Sequence, residues 1–458
     1  KLKLSQWMGC ARVIWNAKCD EHRYMRAYAR KFHPLGTWAP IDQTFSQFKD
    51  SDLSPWLSDC PSQILRNAAV GWFRTCQGFM KGRNGRPKRK RKTDRGSVHL
   101  TRELFRFEKG PDGRLRLFIG TKTNNVGHLE FRAHRPFGTP NSIRIVKEAG
   151  KYFVSFSYED GKAEPRQTDF PVFASPEERL EWLRSQGREW LEAHVQGHDR
   201  GIAVPVQSGD EVHDFEPEQK RSIRRQGKKV KRLQRQLARQ DKGSKRRART
   251  KFRLARAHLK DRNVRKDFCH KTSRRIVDSA DVNVFEMLKL KNMVRRPKAV
   301  RDGNGKFLPN GARAKAGLNR GLLSKGLGMV VDFARYKSDR AGKILLLVDP
   351  KHTSQECASC GHVDPDSRRT QARFECTACG HRDNADRNAS IVIGKRAVEL
   401  ILDSGTELSE RGFLSKPTQP ADTGRGAAGK TGQAEAFPAR GVEASKEKGE
   451  TAPVREAA

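Results

Sequence analysis

The chain is expected to fold as an α/β protein, with a helical opening and a small β-barrel ahead of a sheet domain that carries an inserted ribbon of four cysteines. Three observations lead there. Cys357, Cys360, Cys376 and Cys379 stand as two Cys-x-x-Cys pairs with a 15-residue spacer, each followed by Gly-His (Gly361-His362 and Gly380-His381), so that tight turns aim four thiolates at one tetrahedral ion. Ile344 to Val348 is a continuous apolar run, as for a central strand covered on both faces. Between Ser97 and Tyr158, short alternating segments (Val98, Leu100; Phe105, Phe107; Leu115, Leu117, Ile119; Ile143, Ile145; Tyr152, Val154, Phe156) are separated by Gly, Asp and Asn, the period-2 texture of a small antiparallel sheet or barrel. Four cysteines close a zinc shell and leave no open position, so zinc there is structural and catalysis has to come from elsewhere.

With 458 residues, 35% of them hydrophobic, the chain can hold two or three cored domains despite a mean hydropathy of -0.81. Lys and Arg number 93 against 53 Asp and Glu, giving a formal charge of +40 and a pI of about 10.3. That surplus exceeds what solubility needs and implies a polyanionic partner with many phosphates. Nucleic acid is favoured over anionic lipid, because no apolar run reaches the length of a membrane span and no signal peptide is visible. Cys10, Cys19, Cys60, Cys76 and Cys269 show no framework spacing, as expected in a reducing cytosol. The chain begins at Lys1 without a methionine, so its natural N-terminus is expected upstream.

Residues 5 to 80 read as helices: Trp7, Met8, Ala11, Ile14 and Trp15 share a face, and a second apolar set runs through Leu65, Ala68, Val70, Trp72 and Phe73. From Gly82 to Lys92, GRNGRPKRKRK breaks the pattern and reads as an exposed linker or phosphate-contacting loop. Ser175-Pro176-Glu177-Glu178 is a capping box with proline at the first helical position, opening one connecting helix through Leu180, Leu183, Trp190 and Leu191. Residues 195–207 enter a hairpin that carries one acid, Asp199. Lys220 to Lys260 holds 19 Lys or Arg against one acid, Asp241, while Ile223, Val230, Leu233 and Leu237 keep near-heptad spacing. Such a stretch reads as a helical hairpin with one packed seam and a phosphate-facing remainder, since its charges cannot balance one another. A further helix through Phe268, Ile276 and Val277 leads to the strand Val282-Asn283-Val284-Phe285, closed by Glu286. Residues 295–320, rich in Gly, Asn and basic residues, read as a mobile loop over a site. Behind the ribbon, Asp386 starts a helix with a buried stripe of Ile391, Ala397, Val398 and Ile401. Residues 404–458, with eight basic and eight acidic side chains among Gly, Ala, Pro, Ser and Thr, read as a disordered tail.

Asp199, Glu286 and Asp386 each stand at the end of an otherwise apolar element. Together they suit an RNase H-like fold, in which separated carboxylates meet at the sheet's edge and hold two divalent ions about 4 Å apart for in-line phosphodiester hydrolysis. Carboxylates are the ligands that Mg²⁺ prefers. Spacing alone does not assemble the triad.

On these residues the chain resembles the TnpB (OrfB) family of transposon-encoded RNA-guided endonucleases, related to the compact type V CRISPR effectors. The resemblance runs from Gly9 to about Ile401 through the helical opening at Gly9 to Asn16, GRPKRKRK before the barrel, and GHDRG for the first RuvC motif. It continues through VFEMLKLKNM for the second motif, HTSQECASCGH and CTACGH for the ribbon, and DRNAS for the third. It implies that Asp199, Glu286 and Asp386 are catalytic ligands of Mg²⁺ or Mn²⁺, that Cys357, Cys360, Cys376 and Cys379 bind zinc, and that the partners are a guide RNA and target double-stranded DNA. The DNA would be cut beside a short motif, by a monomer with its RNA in the cytoplasm of a prokaryote, associated with the nucleoid. Base pairing would read the rest of the target. The implied layout is a helical recognition region with basic linker at 1–96, a wedge-like barrel at 97–174, a connecting helix at 175–194 and a RuvC-like nuclease domain at 195–350 with its basic hairpin at 218–262. The zinc ribbon follows at 351–384, the last RuvC segment at 385–403 and the tail at 404–458.

His198 replaces an apolar residue before the first acid and reads as a partly buried histidine with a neighbouring partner, while Pro205 interrupts the next strand. Ser390 stands where the family has alanine, a change expected to be tolerated, and Asp383 reads as a ribbon-exit residue rather than a ligand. The resemblance also implies a barrel strand before Lys1. Two other readings use the same features: a transposase acting by DNA strand transfer, and a nuclease-inactive RNA-guided repressor.

Overall fold

The computed structural model describes residues 2–32, 41–49, 52–92, 95–111, 114–131, 133, 136–156, 158 and 166–416. The first core is built by α1 (Leu2–Phe32) and α3 (Ser62–Met80), with the short α2 (Ser46–Lys49) between them. Leu4, Trp7, Met8 and Ile14 of α1 and Ile64, Leu65 and Ala69 of α3 recur at helical spacing and are buried together. Against them lie two antiparallel sheets, ordered β1-β5-β6 and β2-β3-β4, from β1 (Gly96–Thr101), β2 (Phe105–Lys109), β3 (Leu115–Gly120), β4 (Asn125–Glu130), β5 (Ser142–Glu148) and β6 (Lys151–Phe156). Val98, Leu100, Leu117, Ile119, Ile143 and Ile145 point into the shared core, the inward half of the alternation that the sequence displays.

The connecting segment is two helices where one was expected. Ser175 caps α4 (Pro176–Ser185) by accepting from the Glu178 N–H, and α5 (Gly187–His194) starts again at Gly187, whose φ of +78° ends the first helix.

The second core surrounds a parallel sheet ordered β13-β10-β7, from β7 (Val195–His198), β10 (Val282–Glu286) and β13 (Ile344–Val348). Alternate residues divide its two faces, as expected of a sheet covered on both sides. Val282, Val284, Ile344, Leu346 and Val348 meet α4, α5 and α11 (Ala385–Leu402), while Phe285, Leu345 and Leu347 meet Phe268, Ile276, Val277, Val330 and Ala334. Pro205 delays the next strand, so the hairpin of β8 (Val206–Ser208) and β9 (Glu211–His213) begins after it.

The basic hairpin is α6 (Pro217–Ala238) and α7 (Lys245–Ser279), closed by Gln226, Leu233, Thr250 and Ala257. Its second arm and the helix expected through Phe268 and Ile276 are one 35-residue element. The stretch expected as a mobile loop at 295–320 contains a two-stranded turn, β11 (Val300–Arg301) with β12 (Phe307–Leu308), after the short α8 (Leu290–Met293), and then enters α9 (Ala312–Lys325) and α10 (Leu327–Ala341).

The tail expected to be disordered from 404 begins later. β16 (Glu407–Leu408) pairs with β17 (Leu414–Ser415), Leu408 and Leu414 enter the sheet core, and the Arg184 guanidinium donates to the carbonyls of Ile401, Asp403, Ser404 and Thr406. Composition misled here, because two buried leucines suffice to fix a short turn. The remainder of that expected tail, 417–458, lies outside the described residues. No helix among the described residues is long and apolar enough to cross a membrane.

Candidate functional site

The sheet's ends determine where the acids meet. β7 and β10 run parallel with His198 opposite Phe285. Asp199 and Glu286 are the next residues along these two strands, and there Asp199 exchanges backbone hydrogen bonds with Gln207 of β8. Asp386 joins them from the first turn of α11, where the Asn384 side chain accepts from the N–H groups of Asp386 and Arg387 at 2.9 and 3.1 Å. Gly201 brings the loop after β7 to that turn, since a Cβ there would lie 3.9 Å from Asp386 Oδ2. Helix and strand touch backbone to backbone: a Cβ on Gly197 would fall 2.1 Å from the Ser390 carbonyl oxygen and 2.4 Å from the Gly394 nitrogen. Only glycine permits that approach.

The carboxylates feel one another. Burial, then the charges of Glu286 and Asp386, push Asp199 up to about 7, against the opposing N–H of Arg200 and the Arg368 guanidinium. Burial also raises Glu286 and Asp386. Glu286, 7% exposed, accepts a hydrogen bond from Thr353 Oγ1, and Arg200, itself buried, donates to the carbonyls of Glu286 and Leu327. Arg368 reaches in from the spacer between the two cysteine pairs, with Nη2 3.4 Å from Asp386 Oδ1. Arg200, Arg368 and Arg396 oppose the charge of these acids, and the three carboxylates supply the hard oxygen donors to which divalent cations are suited.

Beside this edge the four cysteine sulphurs lie within 4.8 Å of one another, with 3.7 Å between Cys357 and Cys379 and between Cys360 and Cys376. Tetrahedral thiolates on zinc at about 2.3 Å stand about 3.8 Å apart, so the donor set and its size match a closed metal site. The two knuckles repeat one design. Gly361 and Gly380 are left-handed at φ +75° and +72°, their N–H groups bond Cys357 O and Cys376 O, and the Cys357 and Cys376 N–H groups bond His362 O and His381 O. The DRNAS box joins ribbon to site. Asn388, fully buried, accepts from Ala358 N at 2.9 Å and donates to Glu356 O at 2.7 Å.

Other residues have simpler tasks. His198 is buried between Ser208 Oγ (2.6 Å) and Asn283 Oδ1 (2.9 Å), and desolvation lowers its pKa to about 3, so it stays neutral. Ser390 Oγ accepts from Gly209 N at 3.0 Å and thereby docks the β8–β9 hairpin. Asp383, in β15 (Arg382–Asn384) beside β14 (Arg373–Glu375), holds Arg387 at 2.8 Å. Sequence reasoning missed Arg200, Thr353 and Arg368; the arginine of GHDRG was the one visible hint. The stretch read as a linker is a strap along α1: Trp15 Nε1 donates to Lys88 O, and the Asn16 amide makes two hydrogen bonds with the Lys90 backbone, at 3.0 and 2.8 Å.

Fold and site thus define a class: an α/β protein with three acids at a parallel-sheet edge, a four-cysteine ribbon beside them, and a cationic helical hairpin. The Cas12f1-like TNB domain model matches residues 328–393, and the OrfB_IS605 model, described as a probable transposase, matches residues 202–296. A protein of Escherichia coli (strain K12) with the provisional name RNA-guided DNA endonuclease InsQ is 27% identical over 392 residues, 85% of this chain and 87% of the relative. The CRISPR-associated endodeoxyribonuclease Cas12f1 of Sulfoacidibacillus thermotolerans is 29% identical over 128 residues, 28% of this chain and 26% of the relative. A cryo-EM structure of a Cas12f1-sgRNA-target DNA complex aligns over 85% of this chain and 81% of that chain, with a TM-score of 0.49 and 13% identity. These matches make the chain similar to the TnpB (OrfB) proteins and to the related type V effectors.

Proposed function

We propose that this chain is an RNA-guided DNA endonuclease whose RuvC-like, RNase H-like edge cleaves target DNA. The observation that supports the reading is that Asp199 and Glu286 follow the last paired residues of β7 and β10, and that the charges of Glu286 and Asp386 help to raise the Asp199 pKa. Asp199, Glu286 and Asp386 would hold Mg²⁺ or Mn²⁺, and two such ions supply Lewis-acid activation of water and stabilisation of the leaving 3′ oxygen. Thr353 orients the Glu286 carboxylate, Arg200 anchors its backbone, and Asn384 fixes the turn that presents Asp386. The cysteines Cys357, Cys360, Cys376 and Cys379 would bind a structural zinc that orders the ribbon and, through Asn388, the start of α11.

The guide RNA and target duplex are the partners, as in the names and title of the relatives, and the formal charge of +40 supplies the counter-charge. Within this reading, residues 1–96 form the recognition region, 97–174 the wedge-like barrel and 351–384 the zinc ribbon, in a prokaryotic cytoplasm beside the nucleoid. The test is cleavage of target DNA by the full chain with its co-purified RNA. Glu286→Ala is expected to abolish cleavage at unchanged RNA and DNA binding; cleavage by that variant at the wild-type rate refutes the site. Strand-transfer products from the wild type would favour the transposase reading.

A further inference from the structure

The near half of α1 is core, with Leu4, Trp7, Met8, Ile14, Lys18 and His22 buried. The far half is not: none of the described side chains from Arg23 to Phe32 is buried. Ten residues extend a helix by about 15 Å, and in this arm Met25, Arg26 and Ala29 are partly covered while Tyr24, Ala27, Tyr28, Lys31 and Phe32 are exposed. Its large side chains are the ones a soluble helix would hide. Tyr24 is 69% exposed, Tyr28 47% and Phe32 53%, at a spacing of four that stacks them along one face. The Tyr28 and Phe32 ring centroids are 4.6 Å apart, and Lys31 Nζ sits 5.1 Å from the Phe32 centroid. From His22 to Phe32 the sequence holds Arg23, Arg26, Arg30 and Lys31 and no acid.

We infer that this arm is a base-stacking platform for single-stranded nucleic acid, with Tyr24, Tyr28 and Phe32 taking the bases and the interleaved cations taking the phosphates. The inference rests on the nucleic-acid reading above and adds to it a surface and a mode of contact. The Tyr28 and Phe32 rings pack on each other, so bases would stack on the outer faces of that pair and on the exposed Tyr24 ring. Exposed aromatics interleaved with cations are what sequence-tolerant single-strand binding needs, since every base presents a π-face. A second copy of the chain fits poorly, because two such arms would bring like charges together with no acid to separate them. The charge is also continuous with the strap: Arg86 from the strap and Arg26 from the arm both lie close enough to His22 to help burial hold its imidazolium down.

The test compares the full chain with its Tyr24→Leu/Tyr28→Leu/Phe32→Leu variant, using fluorescence anisotropy on labelled single-stranded RNA, single-stranded DNA and a blunt duplex across a salt series. Leucine keeps helix and bulk and removes the ring, and because these positions are exposed the fold is expected to survive, as far-UV circular dichroism checks. Affinity for one or both single strands is expected to fall about 5- to 100-fold, as for loss of one base stack, with the salt slope unchanged because the cations remain. The Tyr24→Trp/Tyr28→Trp/Phe32→Trp variant is expected to keep wild-type affinity. A loss confined to RNA assigns the arm to the guide, and a loss confined to DNA assigns it to a displaced strand. Wild-type binding of both strands by the leucine variant overturns the inference, as does a loss of self-association in light scattering without a change in strand affinity. A wild-type chain that binds no strand at all overturns the nucleic-acid reading, and this inference with it.

Discussion

Asn388 shows how one amide can tie two modules together, since its oxygen and nitrogen are both spent on the backbone of the first cysteine knuckle. Asn388→Leu is expected to cost about 2–4 kcal/mol, because two buried backbone groups lose their partners. Urea unfolding reads that loss, and zinc content measured after dialysis is expected to fall with it. Arg368 invites a different experiment. It forms an ion pair with Asp386, and without it the repulsion among the three carboxylates is opposed by Arg200 and Arg396 alone. Arg368→Ala is therefore expected to lower the melting temperature without divalent ions and to enlarge the gain on adding Mg²⁺, relative to wild type, in a thermal-shift titration. Of the acids, Glu286 stood out by closing the strand VNVF, whereas Asp386 begins a helix and the grouping of the three came from the family resemblance. Thr353 and Arg368 were not legible, because their partners lie 67 and 18 residues away and no local pattern records such a meeting.

Among the elements, the contact of β7 with α11 has the least tolerance. At Gly197 a methyl group would overlap backbone atoms, which cannot move as a side-chain tip can. Gly197→Ala is expected to destabilise the fold by about 3 kcal/mol or more, read by denaturant unfolding, whereas Gly227→Ala on α6, with open space around it, is expected to be neutral or stabilising. The hairpin depends on a charge contact instead. Glu148, at the end of β5, takes both Arg262 nitrogens at 2.5 and 2.8 Å, and this holds its pKa below the usual carboxylate range. A depressed acid contributes stability above its unfolded pKa and loses it as pH falls through the folded value. Glu148→Gln is thus expected to cost about 1–2 kcal/mol at pH 7, with the difference from wild type vanishing below about pH 4, in unfolding curves across pH. Period and capping made most of these elements readable. The break at Gly187 and the unbroken run of α7 were not, since a glycine after a capped helix and a string of cations are each compatible with either outcome.

Over the molecule as a whole, charge and metal act on different parts. The excess of 93 basic over 53 acidic residues is expected to make nucleic-acid affinity fall steeply with salt, linear in the logarithms. Zinc removal with a thiol-selective chelator is expected to disorder the ribbon first and, through Asn388 and the Lys395 contact to Ala358 O, to loosen the start of α11. Hydrogen exchange in 385–395 measures that coupling. Where the ordered body stops decides where it can be cut. Arg184 grips four carbonyls between Ile401 and Thr406, and Leu408 and Leu414 fill the core beyond. A shortened version ending at 403 would strip that guanidinium of its last two acceptors and open a hole under the sheet, whereas one ending at 416 keeps both. An attached reporter or effector should therefore be joined after Lys416, and the compositional border at 404 would be the wrong seam.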